Sequence, residues 1–174
     1  MKISLLGYMG SGKTTIGTAL AAELNMEFID LDVYLQNKHE KTISEIFHSE
    51  GEIKFRKFER EALEEVLLRY EDLVLSLGGG TPAYYNNIEL VNQYSFSIYL
   101  RLTPKELIDR LTHEKSIRPI IAHLSETEMP EFIAKHLFER RPFYEEAKFK
   151  IDVKEKSPFD IVGEIKSLLA PHLP

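Results

Sequence analysis

The sequence predicts an α/β fold built on a mostly parallel sheet, and three observations lead there. Strand-like and helix-like stretches alternate along the 174 residues, the order that lays parallel strands side by side under covering helices. Between the first strand-like and the first helix-like stretch stands Gly7-Tyr8-Met9-Gly10-Ser11-Gly12-Lys13-Thr14. It matches G-x-x-x-x-G-K-[ST], the phosphate-binding loop pattern, in the strand–loop–helix setting the pattern needs. Finally, several helix starts carry a Ser or Thr with an acidic residue three places on, so that each satisfies a free backbone N–H of the other.

In chain order, the strands are expected at Lys2–Leu6, Glu27–Asp30, Leu73–Leu77, Phe96–Leu102 and Lys148–Val153. The first helix is expected over Thr14–Asn25, with Ile16, Leu20 and Leu24 on one stripe. Thr42–Glu45, Thr103–Glu106, Ser125–Glu128 and Ser157–Asp160 mark further helix starts, two of them with proline in the first turn. A helix is expected to open over Gly51–Glu59, with Phe55, Phe58, Ala62 and Val66 on one apolar face, and Ile161, Ile165, Leu168 and Leu169 form another. The stretch 113–124 has no apolar period. It holds Lys115, Arg118 and Pro119 and reads as a mobile loop between two capped helices.

Length suits one domain, expected over residues 1–174, with a core of its own. Cysteine is absent, which excludes disulfides and thiolate metal sites. The net charge is −6 without a basic tract, which disfavours nucleic acid as a partner. No apolar run nears the ~20 residues of a membrane span. The first strand begins at residue 2 and leaves no room for a signal peptide, so the expected location is cytoplasmic.

The candidate chemistry starts at the loop. Gly10, Ser11, Gly12, Lys13, Thr14 and Thr15 would surround a nucleotide's phosphates with backbone N–H groups, with Lys13 on the β- and γ-phosphates and the Thr14 hydroxyl on Mg²⁺. Asp30-Leu31-Asp32 ends the second strand, where ligands of open α/β sheets sit. Asp30 is placed near the hydration shell of Mg²⁺ and Asp32 toward a second substrate, whose hydroxyl proton it would accept; the bland alternative makes Asp32 the cap of the next helix. Arg56 stands beside Phe55 in an apolar stripe, suited either to a two-bond grip on a carboxylate or to a surface salt bridge. Gly78-Gly79-Gly80 closes a buried strand and lets a ligand approach the backbone closely. Arg118 in the loop is a candidate to fold over a nucleotide, and one of Arg140 and Arg141, expected just after a helix stripe, to hold a substrate carboxylate. The six histidines show no ligand spacing.

Jointly, Gly7 to Gly17, Asp30-x-Asp32, the Gly-Glu-x-x-Phe-Arg run ending at Arg56, the glycine triplet, Arg118-Pro119 and Glu139-Arg140-x-Pro142-x-Tyr144 resemble the shikimate kinase family. The resemblance implies a three-layer α/β/α P-loop kinase fold with a mobile lid and a five-stranded parallel sheet in the order 2-3-1-4-5. It implies transfer of a phosphoryl group from MgATP to the 3-hydroxyl of shikimate, on the route to aromatic amino acids. Shikimate would meet Asp32, Arg56, Gly78, Gly79, Gly80 and Arg140, within and beyond a binding region at about 32–60. ATP would meet the loop and Arg118, from a lid at about 113–124. Thr14 would ligate Mg²⁺ directly and Asp30 through water. Arg140 is preferred to Arg141 because it stands four residues before Tyr144. An adenine contact is expected near Lys156, and the protein is expected to be a monomer. Two other readings remain: a gluconate- or nucleotide-type kinase of the same fold, and a nucleotide-binding regulatory module without a second substrate.

Overall fold

The computed structural model describes residues 1–114 and 119–172. Five parallel strands, β1 (Lys2–Leu6), β2 (Glu27–Asp30), β3 (Leu73–Ser76), β4 (Phe96–Arg101) and β5 (Phe149–Asp152), lie in the order β2-β3-β1-β4-β5. Helices α1 (Lys13–Leu24), α2 (Leu31–His39), α3 (Ile43–Arg69), α4 (Asn87–Tyr94), α5 (Pro104–Glu114), α6 (Pro119–Ala122), α7 (Glu128–Glu145) and α8 (Pro158–Leu169) cover both faces. The expected strands differ from these by a residue at most at each end, as expected where helix and strand ends fray.

β1 sits between β3 and β4, and Ile3, Leu5 and Leu6 are sealed from water. Its carboxyl end, where the chain enters the phosphate loop, is therefore at the middle of the sheet edge. The pairing runs on past β3, with the Leu77 N–H donating to the Leu5 carbonyl at 3.1 Å. This sets the glycine triplet directly beside the loop.

The capping signals hold at each predicted start. Thr42 with Glu45 and Ser157 with Asp160 form full capping boxes. Thr103 with Glu106 exchange the same two bonds. So do Ser125 and Glu128, although regular helix begins only at Glu128. Three expectations are corrected. The helix that opens near Gly51 continues the one started at Thr42, broken by non-helical backbone at Gly51 (φ 78°, ψ 167°). Arg140 and Arg141 lie inside α7 with Pro142, not after a helix. The stretch read as an unanchored loop, 113–124, is helical at 113–114 and 119–122, and Ile121 is fully buried; one anchoring side chain is too few to make a period. Arg118 lies outside the described residues.

Candidate active site

The phosphate loop curls over the start of α1. Gly10 and Gly12 take left-handed φ of 78° and 91°, a conformation that costs other residues about 1–2 kcal/mol. Gly12 is the N-cap of α1 and offers no side-chain acceptor to its first N–H groups, leaving the helix end open to an anion. Lys13 Nζ donates to the carbonyls of Gly7 at 2.9 Å and Tyr8 at 3.1 Å. A cavity of about 310 Å³ opens here, lined by the loop from Met9 to Ile16 and faced by Arg110, Val153, Lys156 and Pro158.

Asp30 ends β2 and is the N-cap of α2, its Oδ1 accepting from the N–H groups of Asp32 at 3.1 Å and Val33 at 3.4 Å. Its Oδ2 accepts from the Thr14 hydroxyl at 3.1 Å. The cap is thus Asp30 and not Asp32, because the helix starts as soon as the strand ends. Asp32, one place into α2, is left to face a second cavity. Burial, followed by the charges of Asp30 and Glu59, raises its pKa to about 6 against the pull of Lys13 and Arg56.

That second cavity, about 260 Å³, adjoins the first at Met9, which lines both. Asp32, Arg56, Gly78, Gly79, Gly80 and Arg140 all line it, with an apolar wall of Ile43, Phe47 and Phe55. Arg56 is 7% exposed. Its Nη1 donates to Glu59 Oε2 at 3.0 Å and its Nη2 to Glu52 Oε1 at 3.4 Å, while its Nε has no partner among the described residues. The guanidinium lies 4.0 Å from the centroid of the Tyr84 ring. Arg140, 9% exposed, enters from α7. Arg141 instead faces outward and pairs with Glu145.

The glycine triplet has a sharper explanation than ligand approach alone. A Cβ on Gly78 would fall 2.8 Å from Asp32 Oδ1, and one on Gly80 would fall 2.7 Å from Arg56 Nη1. Gly79 passes nearest Arg140, where a Cβ would lie 3.4 Å from Nη1. The missing side chains are the space in which the cavity's own charged groups sit.

The chain resembles known proteins over nearly its whole length. The family model for shikimate kinase matches residues 9–170. The chain belongs to the shikimate kinase family. A shikimate kinase of Flavobacterium psychrophilum is 44% identical over 97% of this chain and 98% of its own length. The crystal structure of a shikimate kinase from Bacteroides thetaiotaomicron superposes with a TM-score of 0.92, at 38% identity and 98% coverage of both chains. That of a shikimate kinase from Acinetobacter baumannii in complex with shikimate superposes with 0.87, at 33% identity over 99% of this chain and 95% of the other.

Three features escaped the sequence reading. Glu59 is 1% exposed, bonded to Arg56 and, through Oε1 at 2.5 Å, to the Thr81 hydroxyl; its position three residues after Arg56 on a helix was the available signal. Arg110 faces the nucleotide-sized cavity from α5 and donates to the Gly10 carbonyl at 3.3 Å, with no local signature at all. Tyr8 and His136 meet across 128 residues, hydroxyl to Nδ1, at 2.9 Å.

Proposed function

We infer that this chain is a shikimate kinase, moving the γ-phosphoryl group of ATP to the 3-hydroxyl of shikimate. The observation that supports this best is the acceptor cavity. It joins the phosphate loop at Met9 and holds one carboxylate of raised pKa, Asp32, and two buried arginines, Arg56 and Arg140. Shikimate has that complement: hydroxyls for the carboxylate and a carboxylate for the guanidinium groups. A sugar acid could use the arginines, but its open chain leaves the flat wall of Phe47 and Phe55 unused. A regulatory module would have no use for this cavity.

The roles follow from position. The loop N–H groups and Lys13 hold the triphosphate, and Lys13 leaves the Gly7 and Tyr8 carbonyls to do so. Arg110 and Lys156 also line the nucleotide cavity, where they would meet the nucleotide alongside the loop. Arg56 and Arg140 grip the carboxylate with paired hydrogen bonds, Arg56 giving up its long contact to the exposed Glu52. Asp32 orients the 3-hydroxyl. As the phosphorus–oxygen bond to ADP breaks and that to the hydroxyl oxygen forms, Asp32 takes the proton. In such a loose transition state, positioning and electrostatics carry more of the barrier than the base. Arg118 is assigned to the transferred phosphoryl group on its motif alone.

The donor set fits Mg²⁺. Thr14 Oγ1 and Asp30 Oδ2, 3.1 Å apart at the loop's mouth, offer a hydroxyl for a direct bond and a carboxylate for a bond through water, the small number of protein groups that suits Mg²⁺ beside phosphates and water. No cluster of three His, Cys, Asp or Glu exists among the described residues, and a metal carried in by ATP does not need one. When bound, Mg²⁺ neutralises charge on the β- and γ-phosphates. We also propose a monomer, to be checked by light scattering. Among the described residues no helix is long and apolar enough to cross a membrane.

The test is ADP release from ATP with shikimate, gluconate and nucleoside monophosphates in turn, with and without a chelator. Turnover with shikimate only, lost with the chelator, is expected. Turnover on another acceptor and none on shikimate overturns the reading. In the same assay Arg118→Ala is expected to keep shikimate binding and lose most of kcat; an unchanged kcat removes Arg118 from the mechanism.

A further inference from the structure

Arg140 is held between two tethers. One helical turn after it on α7, the Tyr144 hydroxyl donates to the Gly79 carbonyl, which fixes α7 to the glycine triplet. One turn before it, His136 Nδ1 lies 2.9 Å from the hydroxyl of Tyr8. Residues four apart share a helix face, so both tethers act on the face that carries Arg140. The Tyr8 and His136 rings meet edge to face, with centroids 5.5 Å apart, and Phe132 backs the imidazole at 5.1 Å.

Tyr8 belongs to the phosphate loop, yet its side chain is only 1% exposed. Its backbone carbonyl accepts from Lys13 Nζ at 3.1 Å. A nucleotide draws that ammonium to its phosphates. The residue that Lys13 would release is therefore the residue whose hydroxyl holds α7.

We propose that His136 is a positioning residue that ties Arg140 to the phosphate loop through the Tyr8 hydroxyl, so that nucleotide in the loop sets the affinity of the acceptor cavity for shikimate. This rests on the reading that Arg140 grips the shikimate carboxylate. Ordering of the loop by nucleotide also orders α7, and a second ligand that meets an already ordered element binds more tightly. The groups around the imidazole suit a tether that must not repel Arg140. Burial, then the charges of Arg140 and Arg56 against that of Glu52, hold the pKa of His136 down to about 4. Burial likewise pushes the Tyr8 hydroxyl well above its usual value. The bond thus joins two neutral groups throughout the neutral range.

The experiment is calorimetric binding of shikimate to the full chain, alone and with saturating MgADP, which permits no turnover. Wild type is expected to bind shikimate about five-fold or more tightly with MgADP, the usual lower range for linked sites. In Tyr8→Phe and in His136→Leu that ratio should fall toward one. The double variant should lose no more than either single variant, as for two ends of one bond. His136→Asn keeps an acceptor near Nδ1 and should recover part of the ratio. A wild-type ratio of one, additive losses, or variants that melt earlier but keep the wild-type ratio would each overturn the proposal. Arg140→Lys separates the two readings. If it leaves shikimate affinity unchanged, the carboxylate grip is wrong. If it weakens binding while the Tyr8 and His136 variants keep the ratio, only the tether is wrong.

Discussion

Asp32 shows how a single residue can be set for chemistry at the expense of the fold. Burial, and then Asp30 and Glu59, raise its pKa to about 6, well above the usual carboxylate range. A proton acceptor must be ionised, so kcat/KM should fall as pH drops through about 6, the apparent value belonging to the coupled carboxylates together. The same shift acts on stability. A pKa raised in the folded state means that the native protein binds the proton more tightly than the unfolded chain. The resulting stabilisation is complete below the unfolded value and is lost as pH rises through about 6. Above that, the folded protein bears the cost of a buried charge, on the order of 1–3 kcal/mol. Asp32→Asn removes the charge and keeps the shape. It should lower kcat by about tenfold or more, and should raise the melting temperature at pH 7.5 but not at pH 4. A variant less stable than wild type at pH 7.5 would show that Asp32 is held by favourable partners instead. Glu59 is the counterpart: it is buried to the same purpose, but with Arg56 and Thr81 as hydrogen-bond partners.

The element that shapes the acceptor cavity is α3, and its break at Gly51 is what lets one helix wall two sides. Ile43 and Phe47 come from before the break, Phe55, Arg56 and Glu59 from after it. Phe47 and Phe55 meet across the break with ring centroids 4.2 Å apart. A Cβ at Gly51 would touch nothing within 4 Å, so Gly51→Ala tests the backbone alone. The positive φ should cost about 1–2 kcal/mol, seen in urea unfolding. Relief of that strain by straightening the helix should raise the KM for shikimate several-fold, leaving that for ATP nearly unchanged; equal changes in both would argue against a local hinge. Helix starts and strands, rather than the break in α3, were the most legible part of the sequence. The caps at Thr42, Thr103, Ser125 and Ser157 rest on two residues three apart, and the strands on short apolar runs. The site was legible wherever its chemistry is local, as in the phosphate loop. The division of labour between Asp30 and Asp32 was not, since it depends on where a helix starts to the residue. Nor was the triplet's true use, because the side chains that fill its space come from α2, α3 and α7. Tyr8 and His136 lie 128 residues apart, and no pattern within one helix or loop joins them.

Over the whole molecule the net charge is −6, yet the sheet's central carboxyl edge gathers cations. Lys13, Arg110 and Lys156 line the nucleotide cavity, and Arg56 and Arg140 the acceptor cavity. The strand order does this, by bringing the ends of β1, β2 and β3 together under α5, α7 and the start of α8. Both substrates are anions, but their cations differ in access to water. The Lys156 side chain is 34% exposed and that of Arg56 only 9%, and Arg140 is buried as well. Raising salt from about 0.1 M to about 1 M shortens the screening length from about 10 Å to about 3 Å. Exposed charges lose most of their reach under that change, and buried ones keep theirs behind protein. The KM for MgATP should therefore rise steeply with salt, the KM for shikimate should rise less, and kcat should change little, because the groups that act in the transition state are already in contact. Steady-state kinetics at fixed free Mg²⁺ decide this. A shikimate KM as steep as that for MgATP would mean that the two arginines meet their carboxylate in open water, and that the acceptor cavity does not close around its substrate.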